Sequence, residues 1–273
     1  MFFNFNKDQE YTEDTLHDFL FNNCDPMTNG EFLFYTQIKD SVTRIFDVGC
    51  RFDTEFLNFT GEVHYFDPVD SFIKKLKETP NHNTLPVFNS FGLGSVNEKK
   101  YYYDSVQSFQ PRLQSLPNKP QDEKMLLEIK KGCDYMKEKN INNIDFLKID
   151  TEGYDFEVIK GFEEYIKNVQ IIQFEYGGTS LDDSGFKLND IITYLDKKGF
   201  HKFSYLHKNG FTKIEDLKRK ETITNPYHRN GYWSSLSYSE KVEYIQEDGF
   251  IPDHYNYCNI VCINKNSDLQ HLL

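Results

Sequence analysis

Short apolar runs alternate with segments of helical spacing through the middle of the chain. The pattern predicts strands over 44–48 (Arg44-Ile45-Phe46-Asp47-Val48, closed by Gly49), over 62–66 (closed by Asp67-Pro68) and over 84–89. Residues 99–103 read as an edge strand, and 143–150, 169–174, 200–206 and 259–263 as further strands. Helices are expected over 71–77, where Phe72, Ile73 and Leu76 share a face, and over 125–140, 153–165 and 188–198. Upstream, Leu16, Phe19 and Leu20, then Phe32, Phe34 and Tyr35, fall at helical spacing and predict a helical cap over 1–40. Residues 117–122, with two prolines, read as a surface loop. Strand–helix alternation implies a doubly wound, mostly parallel α/β sheet in a domain spanning 41–273. Residues 207–257 interrupt that alternation. A stretch this long inside a compact domain is expected to be functional, here an acceptor-binding insertion before the last strand.

Charge narrows the function classes. The 273 residues carry 31 basic and 43 acidic side chains, a net charge of −12. Nucleic-acid affinity rests on phosphate neutralisation, so a nucleic-acid binder is disfavoured and a small-molecule ligand expected. The hydrophobic share of 38%, with 16% aromatics, is enough to fill a core. Five cysteines, an odd number with no CxxC pair, point away from a disulfide framework and towards a reducing cytoplasm. The start of the chain lacks a basic segment of signal-peptide type, and no apolar run approaches the roughly 20 residues that span a bilayer. A soluble protein is expected, with its oligomeric state open between monomer and homodimer.

Two groups of residues carry candidate chemistry. In an open α/β sheet, ligands bind beyond the carboxyl ends of the strands. There Gly49 lets a ligand approach the backbone, and Asp47 suits a cationic or hydroxyl-bearing one. Cys50 and Arg51 continue that turn. Asp67 follows about twenty residues later, a spacing that suits a carboxylate receiving ribose hydroxyls. An adenosine ligand with an ammonium group satisfies both acids. The second group is Lys148, Asp150, Glu152 and Glu175, expected at the same edge of the sheet. Converging carboxylates need a cation or protons between them, and oxygen-rich sites suit Mg²⁺, Mn²⁺ or Ca²⁺. Asp150, Glu152 and Glu175 are therefore candidate metal ligands, Asp150 and Glu152 also candidate catalytic groups. The competing expectation is that Asp150 and Glu152 cap the following helix. Lys148 is either a general base or an ion-pair partner of Glu152 or Glu175. His201 is an alternative base or third ligand. In the insertion, Tyr227, His228, Arg229 and Trp233 suit a sugar ring or nucleotide diphosphate, or else anchor the insertion on the sheet.

The strings FDVGC and HYFDP, followed by FLKIDTEGYDFEVIKG and IIQFEY, resemble the FkbM family of S-adenosylmethionine-dependent methyltransferases over about residues 44–206. The resemblance implies a seven-stranded class I methyltransferase fold. It also implies O-methylation, often of a sugar or natural-product hydroxyl, with a nucleotide-linked sugar for surface polysaccharide as the expected acceptor. By position, Asp47 and Gly49 would line the methionine part of the cofactor and Asp67 would hold the ribose. Asn89, Ser90 and Phe91 would lie beside adenine. The chain departs from the family pattern D-x-G-A-N-x-G at Arg51 and Asp53, which stand where the family has Asn and the second Gly. The rival readings are a non-catalytic adenosine- or partner-binding module and a nicotinamide-dependent oxidoreductase. The latter is disfavoured because no G-x-G-x-x-G follows the first strand.

Overall fold

A computed structural model describes residues 25–80, 84–103, 124–177, 188–207, 210–214, 237–240 and 257–272, together with residues 10 and 12. Helix α1 (Glu31–Ile38) precedes β1 (Arg44–Val48), β2 (Glu62–Phe66), α2 (Asp70–Glu78) and β3 (Leu85–Asn89). Next come the short strands β4 (Gly92–Gly94), β5 (Glu98–Tyr103) and β6 (Lys124–Lys131), then α3 (Gly132–Lys139). The chain continues through β7 (Ile144–Ile149), α4 (Asp155–Gly161), β8 (Val169–Gly177), α5 (Leu188–Lys197), β9 (Phe200–His207), β10 (Gly210–Lys213) and β11 (Tyr257–Asn264).

The main sheet runs β10-β9-β11-β8-β7-β1-β2-β3. Neighbours from β3 to β8 pair in parallel, whereas β11 inserts antiparallel between β8 and β9. Without the edge strand β10, this is the expected doubly wound, seven-stranded, mostly parallel sheet. The order reverses at β1, so the adjacent carboxyl ends of β1, β2 and β7 form the switch point where α/β sheets bind ligands.

Side-chain alternation divides the core. Phe46, Val48, Leu147, Ile149, Ile172 and Phe174 face α4 and α5, while Ile45, Val63, Tyr65, Phe146 and Ile171 pack with Phe34, Ile38 and Ile73 of α1 and α2. Phe34 meets Phe146 edge-to-face at 5.7 Å. The second amphipathic segment of the expected cap is thus part of the core. Leu16, Phe19 and Leu20 lie outside the described residues.

Three expectations are corrected. Residues 125–140 are not one helix, because Leu127 and Ile129 are buried while Leu126 and Glu128 are exposed, the two-residue period of a strand. That strand, β6, joins β4 and β5 in a separate small sheet, in which 99–103 belongs to an edge strand as expected. The helix expected over 153–165 is shorter: α4 ends at Gly161, and Glu163, with φ of 51°, starts a 3₁₀ segment. Gly161 permits this packing, since a Cβ there would stand 1.9 Å from the carbonyl oxygen of Gly94. Finally, part of the expected insertion is sheet, because β10 pairs antiparallel with β9. The loop at 117–122 lies outside the described residues.

Candidate active site

Asp47, Lys148 and Gln173 stand level across β1, β7 and β8. Alternation puts all three on the face covered by α1, where each is buried. Lys148 Nζ lies 3.2 Å from Glu31 Oε2 of α1 and 3.2 Å from Glu55 Oε1 in the segment after β1. Glu31 also accepts from Gln173 Nε2 at 2.9 Å and Asn29 Nδ2 at 2.6 Å. Asp47 accepts from Thr54 Oγ1 at 2.7 Å, and Thr54 Oγ1 accepts in turn from the Phe56 amide. Lys148 is therefore a buried hub tying the loop after β1 to α1.

This corrects the reading of Lys148 as a base. Burial alone would lower its pKa, but Glu31, Glu55, Asp47 and Asp150 raise it well above the usual value, so it stays protonated. Its partners are Glu31 and Glu55, not Glu152 or Glu175. The carboxylates around this ammonium respond differently. Burial works against the charge on Glu31, yet Lys148 and the Asn29 side chain more than offset it, and its pKa is lowered. Asp47 remains raised to about 7, by burial first, with Lys148 opposing and the Glu55 charge adding.

At the carboxyl ends of the strands the backbone is tightly closed. The amides of Gly49 and Cys50 donate to the Phe66 carbonyl, and the Asp150 amide donates to that of Val48 at 2.9 Å. Gly49 has φ of 86° and faces the Asp150 carbonyl. Asp67 accepts the Arg51 amide on Oδ2 at 3.1 Å and the Val69 amide on Oδ1 at 2.8 Å. Burial pushes its carboxyl up to about 6 against those two hydrogen bonds. An ionised carboxylate has about four acceptor positions, so two remain for hydroxyl donors. Beyond β3, Asn89 Nδ2 donates to the Tyr65 carbonyl, Ser90 Oγ to Asp70, and Phe91 packs edge-to-face on Phe66 with Lys130 over its ring. The structure thus brings Asp47, Gly49, Cys50, Arg51, Asp67 and Asn89 to Phe91 to one edge. Arg51 has φ of 49°, a left-handed conformation that suits Asn better than Arg.

Asp150, Glu152, Asp155 and Glu175 form the second group. Asp155 Oδ2 accepts from the amide and hydroxyl of Thr151, and its Oδ1 accepts from the Glu175 amide. Neither Asp150 nor Glu152 caps α4, whose N-cap is Tyr154 without a side-chain bond. Burial, together with the charges of Asp150, Asp155 and Glu152, raises the Glu175 pKa well above the ordinary value. A raised pKa favours the protonated form of Glu175, which lessens repulsion among these carboxylates without a cation. Among the described residues, no group of three or more His, Cys, Asp or Glu side chains is arranged to hold a metal ion, so the assignment of Asp150, Glu152 and Glu175 as ligands gains no support. Glu152 is half-buried, has φ of 55°, and is pushed up to about 7 by burial and by Asp150, with Arg51 opposing. A non-glycine residue in this strained region costs about 1–3 kcal/mol, and such residues cluster at functional sites.

His201 is not part of this edge. It lies exposed at the start of β9, where the neighbouring Lys202 is level with Ile263 and so with Ile171, at the amino end of β8. That is the opposite edge from Glu175. Tyr227, His228, Arg229 and Trp233 lie outside the described residues. Sequence reasoning missed Glu31, Glu55 and Gln173. Register on the α1 face could have flagged Gln173, but nothing local marks Glu31.

The donor set fits S-adenosylmethionine. Asp67 has acceptor positions for two ribose hydroxyls, and carboxylates outnumber cations around the β1 and β7 ends, as suits a ligand with ammonium and sulfonium charges.

Comparison with solved structures finds distant likenesses. A TehB-like S-adenosylmethionine-dependent methyltransferase from Corynebacterium glutamicum is 10% identical, with a TM-score of 0.41 over 87% of this chain and 88% of that one. Magnesium protoporphyrin IX methyltransferase from Synechocystis with bound S-adenosylhomocysteine is 8% identical, with a TM-score of 0.39 over 86% and 81%. No protein of curated function matches the sequence. The family model for the methyltransferase FkbM domain, however, matches residues 47–202, more than half of the chain and the whole span from Asp47 past Glu175. The protein belongs to the FkbM family of S-adenosylmethionine-dependent methyltransferases.

Proposed function

We propose that the protein is an O-methyltransferase acting on a hydroxyl of a sugar or nucleotide-sugar, with Glu152 as the general base. The observation that carries this reading is Glu152 itself: a half-buried carboxylate, held in a left-handed turn at the ligand edge, whose pKa of about 7 matches proton abstraction near neutrality. When bound, the cofactor supplies an electrophilic methyl group. The protein's part is to position and to move one proton. Asp67 would accept the ribose hydroxyls, while Asp47, Thr54 and Lys148 keep the loop after β1 fixed. Glu152 would take the proton from the acceptor hydroxyl, and the Asp150–Glu175 pair keeps its surroundings negative. Tyr227, His228, Arg229 and Trp233 are proposed to contact the acceptor.

The sugar class and the polysaccharide role rest on the family resemblance. A cytoplasmic location is supported by Cys50, Cys133 and Cys262, which are buried free thiols. No helix among the described residues is long and apolar enough to cross a membrane.

The test is methyl transfer to a panel of nucleotide-sugars, followed by mass spectrometry. Turnover should persist in excess chelator; its loss, with recovery on adding Mg²⁺ or Mn²⁺, would restore the metal reading. A base works only when unprotonated, so kcat should rise up to tenfold per pH unit below about 7 and level off above it. Glu152→Gln should lower kcat by about 10²–10⁴-fold and leave cofactor affinity within a few-fold. An unchanged kcat in that variant would remove Glu152 from the mechanism.

A second variant separates binding from chemistry. Asp67→Ala removes the acceptors proposed for the ribose hydroxyls and should weaken S-adenosylhomocysteine binding by at least tenfold in calorimetry. Equal affinity would contradict the role of Asp67.

A further inference from the structure

Arg51 is a cation at the ligand edge, with carboxylates nearby but none in ion-pair contact among the described residues. Its guanidinium lies over the rings of Phe52 and Phe72, with Cζ 5.6 Å and 5.9 Å from their centroids, and those rings meet edge-to-face at 5.5 Å. The residue is exposed, and its side chain makes no ion pair among the described residues. Two features show that this placement is built. The backbone adopts a φ of 49° that is unfavourable for Arg, and the amide is fixed to Asp67 Oδ2. Stacking on two rings holds the planar group while leaving its N–H edge open, the arrangement in which arginine recognises planar oxyanions.

The surroundings restrict the anion. Arg51 lies within electrostatic reach of the carboxylates of Asp67, Asp150 and Glu152. A dianionic phosphate would meet three carboxylates against two cations, the Arg51 guanidinium and the Lys75 ammonium 3.4 Å from the Phe52 centroid. A zwitterion brings its own ammonium for the acids and a single carboxylate for the arginine. S-adenosylmethionine and S-adenosylhomocysteine both end in such an α-amino acid. We infer that Arg51 holds the carboxylate of the cofactor's amino-acid end, opposite the acids that take its ammonium. The inference rests on cofactor binding at this edge, as proposed above.

The test is calorimetric titration of S-adenosylhomocysteine and of its decarboxylated analogue into wild type, Arg51→Gln and Arg51→Asn. Loss of a charge-assisted, paired hydrogen bond should weaken S-adenosylhomocysteine binding by about 10–100-fold in both variants. The decarboxylated analogue, which has nothing for Arg51 to hold, should bind all three proteins alike. Asn suits the left-handed backbone, so Arg51→Asn should melt no lower than wild type, separating ligand recognition from loop integrity. Equal S-adenosylhomocysteine affinity in all three proteins would overturn the role of Arg51, as would an equal loss for both ligands. Failure of the wild type to bind S-adenosylhomocysteine would instead overturn the cofactor reading beneath it.

Discussion

Lys148→Met should destabilise the protein by about 3–5 kcal/mol, the usual cost of breaking a buried ion pair from one side. Methionine fills much the same volume, so the loss would come from charge. Glu31, Glu55 and Asp47 would be left facing one another without the ammonium that holds them, and the side chains of Lys148, Glu31 and Glu55 are only 10%, 7% and 4% exposed. Glu31 fastens α1 to β8 through Gln173, and Glu55 belongs to the loop that closes the ligand edge. Both would be released together. A urea titration of the variant should show a lower midpoint, and adding Glu55→Gln should recover part of the loss, because the two changes share one network. An unchanged midpoint would mean that water, and not Lys148, compensates these carboxylates.

Gly49→Ala is expected to be as damaging for a different reason. A Cβ at this position would stand 1.9 Å from the Asp150 carbonyl oxygen and 2.8 Å from its carbon, so one strand end would have to move away from the other. Overpacking costs about 1–3 kcal/mol, and the left-handed backbone at φ of 86° adds about 1–2 kcal/mol for a residue with a Cβ. The ends of β1, β2 and β7 are clamped by the Gly49-to-Phe66 and Asp150-to-Val48 hydrogen bonds, so the displacement would reach the ligand edge. Stability and S-adenosylhomocysteine affinity should therefore fall together. Gly199→Ala is the control: φ there is 102°, but the nearest atom to an added Cβ is a lysine side-chain carbon at 3.5 Å. It should show the backbone cost alone and leave affinity unchanged. A Gly49→Ala protein that melts and binds like wild type would contradict the packing described at this turn.

The parallel strands are legible because strands buried on both faces carry adjacent apolar residues, Ile45 and Phe46 in 44–48 and Phe146 and Leu147 in 143–150. Among their polar residues, the buried Asp47 and Lys148 stand level near the carboxyl ends and mark the functional edge. What failed was local ambiguity or long-range pairing. Lys124 to Lys131 mixes charges with adjacent Met and Leu, and its two-residue alternation appears only once burial is known. The partners of Lys148 cannot be read locally, since Glu55, for one, lies 93 residues away in sequence and meets it only through the fold. His201 was misplaced because its position after a helix does not say which end of β9 faces the ligand. The carboxylate group was found in composition, but its means of relieving repulsion was not. The raised pKa of Glu175 comes first from burial, which periodicity does not report.

The cofactor reading is the claim on which the proposed chemistry depends, and direct titration tests it most simply. S-adenosylhomocysteine and NAD would be titrated separately into the wild-type protein at neutral pH, with and without Mg²⁺. Saturable one-to-one binding of S-adenosylhomocysteine, unaffected by Mg²⁺ and absent for NAD, is the predicted result. No binding of S-adenosylhomocysteine by folded protein would contradict it and leave the chain a family member that has lost the family's cofactor.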